Sequence, residues 1–179
     1  MLIPREPVPT LTVPTLAHGR FNLRSESPQN FSLIVFFRGL HCPLCIKYLN
    51  ELGHLLPDLA QRGVSVIAIS SDDESRATEM ATKVGVADLR FGYDLPLSVA
   101  KQWGLYISEG IGKTSIGVEE PKLFPEPGVF LIKPNQTLYY GAVQTMPFAR
   151  PSFTDLLMAI DFAISKSYPA RGEYTGSLT

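Results

Sequence analysis

Two apolar runs, Phe31–Phe37 and Val64–Ser70, enclose a stretch in which Leu44, Tyr48, Leu52, Leu55 and Leu59 recur at steps of three and four. Runs this rich in branched and aromatic residues, with little polar interruption, read as strands covered on both faces. The stripe between them reads as one amphipathic helix closing near Arg62-Gly63, with Gly63 as the residue beyond its C-terminus. Strand, helix, strand in that order is a right-handed β-α-β unit, and the rest of the chain has to be built around it.

Downstream, Ser71-Asp72-Asp73-Glu74 offers a capping box for a helix running to about Lys83. A short strand is expected around Leu89-Arg90-Phe91 and a helix across Leu97 to Trp103. The stretch from Ile107 to Pro127 is rich in Gly and Pro without clear periodicity, and reads as a functional loop or partner surface. Val129–Ile132 is a further strand, Pro134-Asn135-Gln136 a turn and Thr137–Tyr140 its antiparallel partner. Ser152 opens a last helix with Phe153, Leu156, Leu157, Ile160, Phe162 and Ile164 on a broad apolar face. At the front, residues 1–18 carry Pro4, Pro7, Pro9 and Pro14 and read as an extended lead-in, followed by a short edge strand at Phe21-Asn22-Leu23; residues 169–179 form a polar tail. The order predicts an α/β fold of three layers, a central mixed sheet flanked by helices on both faces, in one domain spanning 1–179.

The chemistry concentrates in one place. The chain has two cysteines, Cys42 and Cys45, placed as Cys-Pro-Leu-Cys where the first buried strand passes through Arg38-Gly39-Leu40-His41 into the helix. A sulfur at the helix N-cap is met by unpaired N–H groups and the positive end of the helix dipole, which favour a thiolate. Cysteines at i and i+3 have Cα atoms about 5–6 Å apart, close enough to close a disulfide. With an ordinary thiol pKa near 8.5 only a few per cent would ionise at neutral pH, so nearby cations matter; Arg38 and His41 are the candidates. A structural zinc site is disfavoured, since it wants four ligands and His18, His41 and His54 lack paired spacing. Two inert buried cysteines are the remaining plain reading. His54 reads as a surface or satisfied histidine; Trp103, Phe148 and Arg150 could edge the pocket or contact a partner, with packing the plainer reading for the aromatics and solvation for Arg150.

Composition sets the surroundings. The 179 residues carry 16 basic and 17 acidic side chains with no Lys/Arg cluster, so neither nucleic acid nor an anionic membrane is an expected partner. The N-terminus lacks a signal-peptide pattern and no apolar run approaches the roughly 20 residues of a membrane helix, which makes the cytoplasm the expected location. In a reducing compartment such a cysteine pair cycles more often than it staples.

With Cys-Pro-Leu-Cys at a strand-to-helix junction and Pro127-Gly128 just ahead of a later strand and hairpin, the chain resembles thioredoxin-fold proteins over nearly its whole length. Within that superfamily, the run Phe36-Phe37-Arg38-Gly39-Leu40-His41-Cys42-Pro43-Leu44-Cys45, the Ser70-Ser71-Asp72-Asp73-Glu74 helix start and the extended N-terminus resemble the peroxiredoxin-like redoxins of the alkyl hydroperoxide reductase and thiol-specific antioxidant group. The resemblance implies reduction of hydroperoxides or disulfides with no bound cofactor and no metal, an external thiol reductant such as thioredoxin or glutathione, and a possible homodimer. Two landmarks depart from the pattern. Where that family reads Pro-x-x-x-Thr-x-x-Cys ending at Cys45, this chain has Arg38 at the proline and Cys42 at the threonine. The family's peroxide-binding arginine falls on Pro127, as in thioredoxins, where the proline is cis and lines the thiol groove. The peroxiredoxin register nominates Cys45 as the attacking sulfur, and the thioredoxin register nominates Cys42. Beside peroxide reduction stand two alternatives, a protein-disulfide reductase and a redox-sensing module acting through residues 107–127.

Overall fold

The computed structural model describes residues 1–179. Its central sheet runs in the order β5-β4-β3-β8-β9. β3 (Phe31–Phe36) lies in the middle, parallel to β4 (Val64–Ile69) and antiparallel to β8 (Gly128–Ile132); β5 (Phe91–Gly92) and β9 (Leu138–Val143) flank them. The mixed α/β sheet expected from the element order is therefore present.

The pleat of β3 divides the core in two. Leu33, Val35 and Phe37 pack under α1 (Pro43–His54), α2 (Leu56–Gln61), α3 (Glu74–Val84) and α5 (Phe153–Ser165), through Leu49, Leu52, Leu59, Met80, Val84, Phe153 and Ile160. Ile34 and Phe36 face the opposite layer, with Ala100 of α4 (Leu97–Gln102), Trp103, Leu105 and the apolar residues of the N-terminal segment. Phe36 meets Trp103 and Phe130 edge-on at 5.4 and 5.8 Å. Each face of the sheet thus buries a full set of side chains, which is what the unbroken apolar runs require.

Four local readings change. The single helix expected across 44–62 is two, because Pro57 has no N–H to give the Gly53 carbonyl; the chain turns at Leu55 and restarts as α2. α3 is capped by Asp73, whose carboxylate accepts the Arg76 N–H at 2.9 Å, while the Ser71 hydroxyl donates to the Leu95 carbonyl at 2.8 Å. The N-terminal lead-in contains β1 (Thr12–Pro14), which pairs with β2 (Arg20–Asn22) as a separate ribbon that buries Val13 and Phe21. The stretch 107–127 holds an antiparallel ladder, β6 (Ile107–Glu109) with β7 (Leu123–Pro125). The tail is tied to the front, with Arg5 donating to the Ala170 carbonyl at 2.9 Å and pairing with Glu173 at 3.0 Å. No helix is long and apolar enough to cross a membrane.

Phe36→Ala removes a fully buried ring at the centre of the second layer and should cost about 3–5 kcal/mol, read as a lowered midpoint in denaturant unfolding at an unchanged slope.

Candidate active site

The loop that leads to the two cysteines hangs between the ends of β3 and β4. Phe37 N–H still donates to Ile69 at 3.0 Å, after which Arg38-Gly39-Leu40-His41 turns across the sheet end. Asp72, just past β4, holds that turn: its carboxylate accepts the Leu40 N–H at 2.7 Å and the Arg76 guanidinium at 2.9 Å. Gly39 sits at φ +135°, and a Cβ there would lie 2.7 Å from Asp72 Oδ2, so the close approach of loop and carboxylate needs a glycine. Burial raises the Asp72 pKa, and the hydrogen bonds from Leu40 and Arg76 only partly offset that.

Cys42 is the N-cap of α1, in extended conformation, with Pro43 at the first helical position. Its sulfur accepts the backbone N–H of Cys45 at 3.3 Å. Cys45 lies inside the first turn, and both thiols are free and buried.

The cation that serves them comes from elsewhere. Arg150, between β9 and α5, places Nη2 2.9 Å from Cys45 Sγ and 3.8 Å from Cys42 Sγ. Its Nε donates to the Pro147 carbonyl at 2.9 Å and its guanidinium lies 4.8 Å over the Tyr48 ring. Tyr48 in turn donates to the Pro151 carbonyl at 2.6 Å and stacks on Phe153. Arg5, Arg38, Arg62, Arg76 and Arg90 each face a carboxylate; Arg150 faces none and has sulfur instead. Of the two places the sequence leaves open for Arg150, solvated charge or edge of the pocket, the second is the one it occupies. The only local sign of its role is an arginine directly ahead of the Pro151-Ser152 helix start.

The thiols are driven apart in acidity. The Cys42 pKa falls from 9.0 to about 6, first through the hydrogen bond from the Cys45 thiol, then the Cys45 backbone N–H, Arg150 and Arg38, against the opposing effect of burial. Burial, then the bond given to Cys42 and the charge there, push Cys45 well above the usual thiol range. Arg150 is nearer to Cys45, yet the charge settles on Cys42, because only Cys42 collects both a thiol and a backbone donor.

The other expected residues divide. Arg38 reaches Glu120 at 3.4 Å and Glu126 at 3.3 Å and lies 4.6 Å over Phe124, so its charge is largely spent on the β6–β7 region and adds least to the lowering at Cys42. His41 is not the second cation. It is wholly buried with its ring 4.6 Å from Phe124, and burial, Arg38 and Arg76 lower its pKa from 6.5 to about 3, leaving it neutral. Pro127 is buried between β7 and β8, and its peptide bond is trans, as are all in the chain; the ladders on either side, and the Gln144 N–H given to its carbonyl at 3.0 Å, continue an extended backbone through it. Trp103 packs in the second core layer, and Phe148 is exposed. No group of three or more His, Cys, Asp or Glu side chains converges as a metal site.

A family model, that of the AhpC/TSA family, matches residues 4–141. The chain belongs to the AhpC/TSA family. Solved structures agree in fold: peroxiredoxin 6 of Arenicola marina, as its C45S mutant, is 18% identical with a TM-score of 0.76, over 93% of this chain and 76% of that one. The reduced 2-Cys peroxiredoxin of Plasmodium vivax is 16% identical with a TM-score of 0.74, over 94% and 85%. Peroxidoxin BcpB of Mycobacterium tuberculosis is 18% identical with a TM-score of 0.70, over 92% and 99%. No curated protein matches by sequence. Arg150 lies beyond the residues that match the AhpC/TSA model.

Ultraviolet thiolate absorbance of the reduced protein should rise with pH through a midpoint near 6 and then level, since the sulfur is protonated below that value and charged above it. Arg150→Met removes one of the lowering influences, and its midpoint should move up toward 9.0.

Proposed function

We propose that this AhpC/TSA protein is a thiol-dependent peroxidase in which Cys42 attacks and Cys45 resolves. The observation that carries the reading is one guanidinium within reach of two sulfurs, at 2.9 and 3.8 Å, with the outer sulfur at a helix N-cap. The Cys42 thiolate attacks the terminal oxygen of a hydroperoxide; an S–O bond forms, the O–O bond breaks, and the products are a Cys42 sulfenic acid and an alcohol or water. Cys45 then attacks the sulfenic sulfur, an S–S bond forms and water leaves. An external dithiol, of the thioredoxin or glutathione kind, returns the pair to its reduced form by exchange. A reducing compartment such as the cytoplasm suits that last step.

Protein-disulfide reduction is the second reading, supported by the order of the pair, attacking sulfur outside and resolving sulfur behind, and by the places where Arg38, Cys42 and Pro127 replace family residues. Access favours the peroxide. Cys42 has 1% of its surface exposed, and a hydroperoxide of a few atoms reaches such a sulfur with far less opening than a protein disulfide needs.

Mixing the reduced protein with hydrogen peroxide should consume one equivalent per chain and yield an intramolecular disulfide, with insulin-disulfide reduction slower by comparison. Cys45→Ser should stop at a sulfenic acid on Cys42, and Cys42→Ser should leave peroxide unconsumed; mass spectrometry of the two cysteines reads each outcome. Full turnover by both variants would eliminate the dithiol cycle.

A further inference from the structure

Resting on the peroxidase reading, we infer that Cys45 plays a second catalytic part, in which its thiol donates the proton that the departing oxygen of the peroxide needs and Arg150 receives the charge this leaves on Cys45. The leaving group sets the requirement. When the Cys42 thiolate breaks the O–O bond, hydroxide or alkoxide departs, and the conjugate acid of hydroxide has a pKa of about 15.7. Without a proton at that moment the bond is slow to break, so a donor has to stand beside the attacking sulfur.

The side chains around Cys42 leave one choice. His41, before it in the loop, is neutral and packed on Phe124. Tyr48, one turn along α1, gives its O–H to the Pro151 carbonyl. Asp72 accepts from Leu40 and Arg76 and has no proton to offer in that arrangement. Glu120 and Glu126 are engaged by Arg38. Arg150 gives its Nε proton to the Pro147 carbonyl and turns Nη2 to the two sulfurs. Cys45 remains, a buried free thiol one helical turn from Cys42, joined to it by its backbone N–H at 3.3 Å and by the shared Arg150 guanidinium. A thiol is a far stronger acid than water or an alcohol, so the transfer runs downhill.

The position of Arg150 then acquires a reason. The resting thiolate is Cys42, but the guanidinium sits closer to Cys45, at 2.9 Å against 3.8 Å. That is where the negative charge arrives once the proton has gone. The first step is Cys42 thiolate plus hydroperoxide plus Cys45 thiol, giving Cys42 sulfenic acid, alcohol and Cys45 thiolate. In the second, the Cys45 thiolate attacks the sulfenic sulfur, the S–S bond forms, the S–O bond breaks, and the hydroxide takes a proton from solvent. One proton transfer thus ends the first reaction and arms the second.

The test uses oxidants that differ in the basicity of what leaves. Reduced wild type, Cys45→Ser and Cys45→Ala are mixed in stopped flow with hydrogen peroxide, tert-butyl hydroperoxide and peracetic acid, above the pH at which each protein's Cys42 titrates by thiolate absorbance. Sulfenic acid or disulfide is quantified by quenched mass spectrometry. Peracetic acid releases a carboxylate that needs no proton. The slowing caused by Cys45→Ala should be about 100-fold greater for hydrogen peroxide and tert-butyl hydroperoxide than for peracetic acid. Cys45→Ser, which restores an O–H donor, should fall between wild type and alanine with the first two oxidants. Equal slowing across all three would mean packing damage alone and overturns the proton-donor role while leaving the peroxidase standing. A wild type that consumes none of the three overturns both.

Discussion

A positive charge with sulfur as its only counter-ion organises this site. Most arginines that reach into the protein here meet a carboxylate, and the attraction is spent on holding two segments together. Arg150 is laid over Tyr48, tied to Pro147 and left facing two thiols. Removing a guanidinium from bulk water is costly unless an anion or several acceptors meet it, so its burial favours the state in which one sulfur is ionised. The acidity of the pair and the placement of the segment between β9 and α5 are two sides of the same interaction.

The rest of the fold supplies rigidity to that contact. β3 delivers the cysteine-bearing loop to the end of the sheet, β4 delivers Asp72, and the Leu40 N–H joins them at 2.7 Å. Cys42 can then start α1 with its sulfur already accepting from Cys45, so the thiolate forms in a place prepared for it rather than one that must rearrange. The core on both faces of β3 fixes where that strand ends, and hence where the loop begins.

Much of this was legible in the residues. Unbroken apolar runs identified the inner strands because both faces are covered, and the spacing of Cys42 and Cys45 after such a run placed both sulfurs at the start of a helix. What escaped depends on contacts distant in sequence or on elements too short to carry a period. Arg150 is 105 residues from Cys45, and its one local sign, a place directly ahead of the Pro151-Ser152 helix start, does not say which group it meets. β6 and β7 have three residues each, fewer than an alternation needs to stand out. Pro57 is a visible helix breaker, but the leucine stripe passes across it in phase. The neutrality of His41 comes from burial beside Arg38 and Arg76, a matter of tertiary packing.

Arg38, where the family pattern has a proline, brings a charge that two carboxylates flanking β7 meet. Glu120 and Glu126 face a positive charge four residues from Cys42, and Glu126 is itself held by the Ser108 hydroxyl at 2.6 Å. Carboxylates at the ends of the ladder thus offset part of the Arg38 charge before it reaches Cys42, so an arm that never touches sulfur bears on how readily that sulfur gives up its proton.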